Sequence, residues 1–247
     1  MRNYKILMIK YDIFYGGPML TTDELLNLTR LPKISEISLK LLQEFYDIYI
    51  CPNIYVFELE NKEVIRLEFL DVNLCHLMGF QHIVPYKLKK FYSGENGYMG
   101  IFNGEITIKK LRSIDERKFS RDKDKILCFS YIYQLLRQCE IIRFSNITGH
   151  SKISCEFLLY DTHYERRIHL GIEKDEKRDV YYPRTFLVER ENGDRFVVNQ
   201  EYLKIKNTQI ISKHPFKTEL EVAATVEVKQ EGKKNKILQR KYNRQNS

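Results

Sequence analysis

The sequence predicts an α+β protein in which helices pack on a mainly antiparallel β-sheet. Two patterns carry that expectation. Apolar residues at helical spacing mark several stretches before residue 141, and short alternating runs rich in β-branched and aromatic residues recur after it. At 247 residues the chain is long enough for one large domain, or for a domain with an appended subdomain, and either can bury a hydrophobic core.

Ile34 to Ile48 reads as an amphipathic helix behind Pro32, because Ile34, Ile37, Leu41, Leu42, Phe45 and Ile48 recur at helical spacing. The period then changes. Ile54 to Leu59 and Val64 to Phe69 flank the polar turn Glu60-Asn61-Lys62-Glu63, which reads as a β-hairpin. Asp71 is placed to cap, and Gly79 to end, a very short helix with His76 near its middle. Residues 92–104 hold Gly94, Gly97, Gly100 and Gly104 among aromatics and read as turns and loop; no Gly-Lys-Ser or Gly-Lys-Thr follows, so they form no phosphate loop. Glu105 to Arg112 reads as a short helix. Lys125 to Ile142 reads as the main core helix, with Ile126, Phe129, Ile132, Tyr133 and Leu136 on one side. Strands are expected at Ile141 to Phe144, Cys155 to Tyr160, Arg166 to Ile172, Thr185 to Glu189 and Arg195 to Val198, with a late one near Glu219 to Val228. No internal repeat stands out, and no linker precedes the tail.

Composition narrows the class. With 43% hydrophobic and 30% charged residues the chain is too apolar to stay disordered, and no apolar run reaches membrane-spanning length, so a soluble protein with no membrane partner is expected. Ile6 to Ile9 is too short for a signal-peptide core, which points to a cytoplasmic location. Cys51, Cys75, Cys128, Cys139 and Cys155 are odd in number and form no Cys-x-x-Cys pair, so buried free thiols are expected rather than a disulfide framework or a zinc knuckle. The net charge of +8 is uneven: residues 229–247 carry seven Lys or Arg against Glu231, a balance of +6 that leaves +2 for residues 1–228. This stretch reads as a basic, disordered tail able to attract phosphates non-specifically; a solvated terminus with no partner is the equal alternative.

There is no His-Glu-x-x-His, no carboxylate cluster at metal-ligand spacing, no Gly-x-Ser-x-Gly and no Walker loop, so neither a metal nor another cofactor is expected. His76 titrates near neutrality and suits proton transfer, although a lone histidine on a half-buried helix face is more often simply a polar residue. In Arg166 to Ile172, alternation puts Ile168, Leu170 and Ile172 on one face and Arg167 with His169 on the other. If that second face is concave it suits phosphate; if flat, it is a solvated side. Tyr182-Pro183-Arg184-Thr185-Phe186 reads as a strand start, where Arg184 offers a planar fork for phosphate oxygens and Thr185 a hydroxyl at a defined position. An ordinary exposed arginine beside a β-favouring threonine is the plainer reading. Tyr160 presents a phenol at the same sheet end.

Taken in order, these segments resemble a known family. Phe57 to Asn61, Ile65 to Phe69, Asn73 to Gly79, Asn103 to Thr107, Glu156 to Tyr160, His169 to Ile172 and Tyr182 to Glu189 are similar to the phage-associated barnase/EndoU/colicin/RelE-like (BECR) nucleases, PBECR4 type, over about residues 50–206. His76 matches the family's His-Leu-x-Gly histidine, and Arg184 and Thr185 fall in its Pro-x-Ser/Thr-Phe segment. The basic stretch Asp115 to Lys125 departs from the pattern. The expected division is an N-terminal strand and helix extension (1–50), the BECR nuclease-like domain (51–206), a C-terminal strand extension (207–228) and the basic tail (229–247).

The resemblance implies an RNA endonuclease of phage or mobile-element origin that needs no metal, in a toxin or host-takeover role. RNA is then its substrate, the basic tail a contact to it, and an immunity or antitoxin protein its partner. The ribose 2′-hydroxyl would attack the adjacent phosphorus, with His76 as general base or acid, His169 or Tyr160 as its complement, Arg184 on the charged phosphate and Thr185 orienting it. The alternative is a catalytically inactive RNA- or protein-binding module on the same fold. In space, His76 should face the sheet end bearing Arg184 and Thr185, with His169 or Tyr160 nearby.

Overall fold

Alternation along β1 (Asn53–Leu59) and β2 (Val64–Glu68) buries Tyr55, Phe57, Leu59, Ile65 and Leu67 on one side of the hairpin expected there. The computed structural model of the protein that shows this describes residues 18–145, 153–164, 166–190 and 195–213. At the hairpin tip Lys62 takes a left-handed φ of +74°, and the Asn61 side chain accepts the Glu63 amide at 3.0 Å. Among the described residues six further strands join the sheet: β3 (Glu140–Arg143), β4 (Phe157–His163), β5 (Arg166–Asp175), β6 (Val180–Arg190), β7 (Glu201–Leu203) and β8 (Ile205–Ser212).

The strand order is β7-β3-β4-β5-β6-β2-β1-β8. Every pairing is antiparallel except β2 with β6, which run parallel and meet at Leu67 and Tyr181. β7 and β8 lie at opposite ends of this order yet are joined by one residue, Lys204, whose carbonyl accepts the Glu60 amide at 2.9 Å. Two edges held one residue apart force the sheet to curl until it is nearly closed. Arg143 of β3 bridges the seam, 2.6 Å from Glu63 in the hairpin turn and 3.3 Å from Glu201 in β7.

Helices cover one face. α1 (Thr22–Leu26) starts at a capping box between Thr21 and Glu24 and buries Leu25. α2 (Leu39–Phe45) is capped by Ser38 and continues as a π-helical turn through Ile50. α3 (Leu74–Leu77), α4 (Phe80–Ile83), α5 (Gly94–Phe102), α6 (Ile108–Ile114), α7 (Glu116–Asp122), α8 (Asp124–Leu127) and α9 (Tyr131–Arg137) follow. Edge-on aromatic pairs tie them to the sheet: Phe129 on Phe186 with ring centroids 6.4 Å apart, and Tyr46 on Phe69 at 6.1 Å. The opposite face carries a small cluster of Ile142, Leu158, Tyr160 and Val197, against which Phe144, Cys155 and Phe196 pack. The α+β expectation therefore holds.

Several local expectations are corrected. Ser38 adopts extended geometry to cap α2, so the single helix read over 34–48 splits into a 3-10 turn at Ile34–Glu36 and a separate α-helix. Residues 94–102, read as loop, are helical: Gly94, at φ +54°, makes the turn into the helix, while Gly97 and Gly100 serve close packing, since a Cβ on Gly97 would sit 2.7 Å from the Tyr92 carbonyl carbon and one on Gly100 2.6 Å from Ile106 Cδ1. The long helix read over 125–142 is two short ones. Between them Phe129, Tyr131 and Ile132 bond three residues back, and both pieces bury the same side, so periodicity alone does not register the break. Arg195 to Val198 is turn rather than strand, its alternation reflecting Val197 buried in the small cluster. The strand carrying Tyr182 begins at Val180, so Pro183 lies inside it. The strand read near Glu219 to Val228 and the basic tail lie outside the described residues. All five cysteines are free; Cys75 and Cys128 are buried, while Cys51, Cys139 and Cys155 are partly so. Among the described residues no helix is long and apolar enough to cross a membrane.

Candidate active site

The short helix α3 buries Leu74, Cys75 and Leu77 and leaves His76 exposed. It follows a 3-10 turn, Asp71–Asn73, that is closed by the Asn73 side chain accepting the Leu70 amide at 2.8 Å, and Gly79 at φ +78° lies just past its end. Gly79 also meets a packing demand, since a Cβ there would lie 2.9 Å from Cδ of Lys125.

The strand facing this helix is irregular at a defined point. Between β5 and β6, Thr185 pairs with Gly171 and Pro183 with Ile172, so Arg184 is left over as the extra residue of a bulge. Proline has no amide proton to give the ladder, and bulges are among the places in a sheet that tolerate it. Arg184 thereby turns its carbonyl toward the helix, where it lies 2.8 Å from Nε2 of His76. Its guanidinium Nε lies 3.2 Å from the Glu173 carboxylate, which also accepts the Tyr182 hydroxyl at 2.8 Å.

A carbonyl oxygen only accepts, so His76 Nε2 carries the proton and the lone pair of the neutral ring is on Nδ1. Desolvation holds the His76 pKa below its ordinary value; the bond to the Arg184 carbonyl opposes this, and the charges of Lys125 and Arg184 add to the lowering. His82 in α4 is shifted down likewise, first by desolvation and then by Lys125, with His76 and Arg121 contributing. Lys125 is lowered by burial, and Asp122 opposes the shift. Lys125 and His82 meet at Gly79, where a Cβ would lie 2.9 Å from Lys125 Cδ and 3.8 Å from His82 Cδ2, and Arg184 joins the group through its bond to His76.

The expected neighbours are distributed differently. Arg184 meets His76 as foreseen. Thr185 points to the other side of β6, its methyl filling the space beside Gly171 and near Cys155. His169 is fully buried on that same far face, with Nε2 3.0 Å from Glu189 and its ring against Tyr160 and Phe196. Tyr160 donates its hydroxyl to Glu140, and Arg167 lies over its ring. The pairing of His76 with His169 or Tyr160 is therefore not made; the sheet separates them. His82 and Lys125 were missed. The sequence signals for them were a second histidine six residues after His76 and the last lysine of the basic stretch that departs from the family pattern. Among the described residues no three His, Cys, Asp or Glu side chains gather as a metal-binding group.

A helix-covered, mostly antiparallel and nearly closed sheet with one histidine anchored at a strand bulge places the protein in the α+β class. More particularly, residues 39–223 match the family described as phage-Barnase-EndoU-ColicinE5/D-RelE like nuclease4, and the chain belongs to that family. No curated protein matches the chain, and no solved structure does.

Proposed function

We propose that the protein is an RNA endonuclease whose reaction needs no metal ion. The supporting observation is the bond from His76 Nε2 to the Arg184 carbonyl, which leaves a neutral imidazole with its Nδ1 lone pair beside two cations. In the reaction Nδ1 takes the proton of a ribose 2′-hydroxyl as the 2′-oxygen bonds to the adjacent phosphorus. The bond from phosphorus to the 5′-oxygen breaks, Lys125 gives that oxygen a proton, and the products are a cyclic phosphate and a free 5′-hydroxyl. Arg184 exchanges Glu173 for a non-bridging oxygen and offsets the charge that builds there. His169, Tyr160 and Thr185 take no direct part. The biological setting is a mobile element of phage type, with a toxin or host-takeover role.

Purified full-length protein incubated with mixed RNA in excess chelator tests this. The wild type should cleave, and His76→Ala should lose on the order of a hundred- to ten-thousandfold in rate while keeping its fold, since the side chain is exposed. Arg184→Ala should be impaired as well. A second reading, a binding module without catalysis, is favoured by the ion pair that already occupies Arg184. RNA bound but left intact by the wild type would establish it instead. Bacterial growth arrested by the wild type and not by His76→Ala is the outcome expected of a toxin.

A further inference from the structure

Beyond the reacting group, we infer that the turn Tyr86–Phe91 is a platform on which unpaired bases of a single-stranded RNA stack; this rests on the RNA-cleaving reading of the neighbouring site. Among the described residues, Tyr86 (88% exposed) and Phe91 (62% exposed) are the most solvent-exposed large hydrophobic side chains. They bracket Lys87, Lys89 and Lys90 in one six-residue 3-10 helix, Tyr-Lys-Leu-Lys-Lys-Phe. Leu88 packs against the core and anchors the turn, so neither ring is needed to hold it. Lys89 lies 5.9 Å from the Tyr86 ring centroid, and no ion pair reaches the three lysines among the described residues. A large ring left in water gains nothing for folding, whereas aromatic faces flanked by unpaired cations fit stacked bases and their phosphates.

Position and charge fit the same occupant. The turn follows α4 directly, after Pro85, so the platform adjoins His82 and through it His76 and Lys125. α7, which carries Arg117, Lys118 and Arg121, packs on α4 as well. From Phe80 to Lys125 there are eleven Lys or Arg against six Asp or Glu, a balance of +5, while residues 1–228 together carry only +2. Within residues 1–228 the positive charge is thus concentrated on the elements around His76, where a polyanion would have to lie.

The test uses full-length His76→Ala protein, so that RNA is bound without being cut. It is titrated with a fluorescently labelled oligouridylate and, separately, with a labelled RNA duplex of equal length. Tyr86→Ala and Phe91→Ala should each weaken single-strand binding on the order of tenfold and leave duplex binding unchanged, because paired bases offer no free faces. Replacing Lys87, Lys89 and Lys90 by Gln should lower the slope of log affinity against log salt by about 2 on the single strand. Single-strand affinity indifferent to both rings, or lost equally on duplex, overturns the inference, including the case in which the surface serves a protein partner. Cleavage by the wild type with such indifference leaves the nuclease reading standing. Ring-dependent single-strand binding without any cleavage keeps this inference and removes that reading.

Discussion

At the scale of single residues, His76 depends on two contacts of opposite effect. The Arg184 carbonyl favours its protonated form, while the charges of Lys125 and Arg184 disfavour it, and desolvation outweighs all of them. A base must be neutral to act, so cleavage should fall as acid protonates His76, with the acid limb of the rate profile below the ordinary histidine pKa of about 6.5. Lys125→Gln removes a positive charge that lowers the His76 pKa, and the limb of whatever activity remains should move to higher pH. A limb that stays in place, or moves down, would show that Lys125 does not act on His76. Sequence reasoning found the histidine and not this lysine, because the two are nearly fifty positions apart and only the fold lays the Lys125 stem across Gly79.

At the scale of elements, α5 is what holds α3 in place. A Cβ on Gly97 would come 2.8 Å from Sγ of Cys75, the residue before His76, and closer still to the Tyr92 backbone. Gly97→Ala should therefore cost about 1–3 kcal/mol in a urea unfolding experiment, and it should weaken cleavage further by shifting the His76 to Arg184 bond. Unchanged stability would mean that α5 can move aside freely. The same glycines explain why this element was illegible in the sequence. Gly97 and Gly100 look like punctuation by composition, and only the neighbours supplied by Tyr92, Cys75 and Ile106 show them to be contacts; Gly94, at φ +54° with open space around it, is the one that does turn the chain. The hairpin of β1 and β2 was legible because alternation and a polar turn are local signals. The side of the sheet on which His169 lies was not, since alternation separates two faces without saying which one the helices cover.

At the scale of the whole molecule, desolvation lowers the pKa of His169, which is fully buried, and in the same direction those of His76 and His82, which the surrounding protein covers only in part. In the unfolded chain they bind protons near pH 6.5, and in the fold they bind them only at lower pH. The unfolded state thus takes up more protons as pH falls below about 6.5, and stability declines until the folded-state values are passed. Thermal unfolding followed from pH 8 to pH 5 should show a falling Tm; a flat or rising Tm would contradict the burial of His169. Glu36, Glu63 and Asp115, lowered chiefly by Arg30, Arg143 and Lys118, add a further loss in the carboxylate range. The one-residue link at Lys204 has a consequence for how the protein is made. β1 and β8 pair positions 53–59 with 205–212, so the seam joins segments that leave the ribosome far apart in time. A nascent chain that lacks β8 can form the hairpin, the helices and the bulge at Arg184, but it leaves the outer edge of β1 unpaired. Among the described strands the eight-residue β8 is what covers the β1 edge, and that pairing is finished only after Ser212 has emerged.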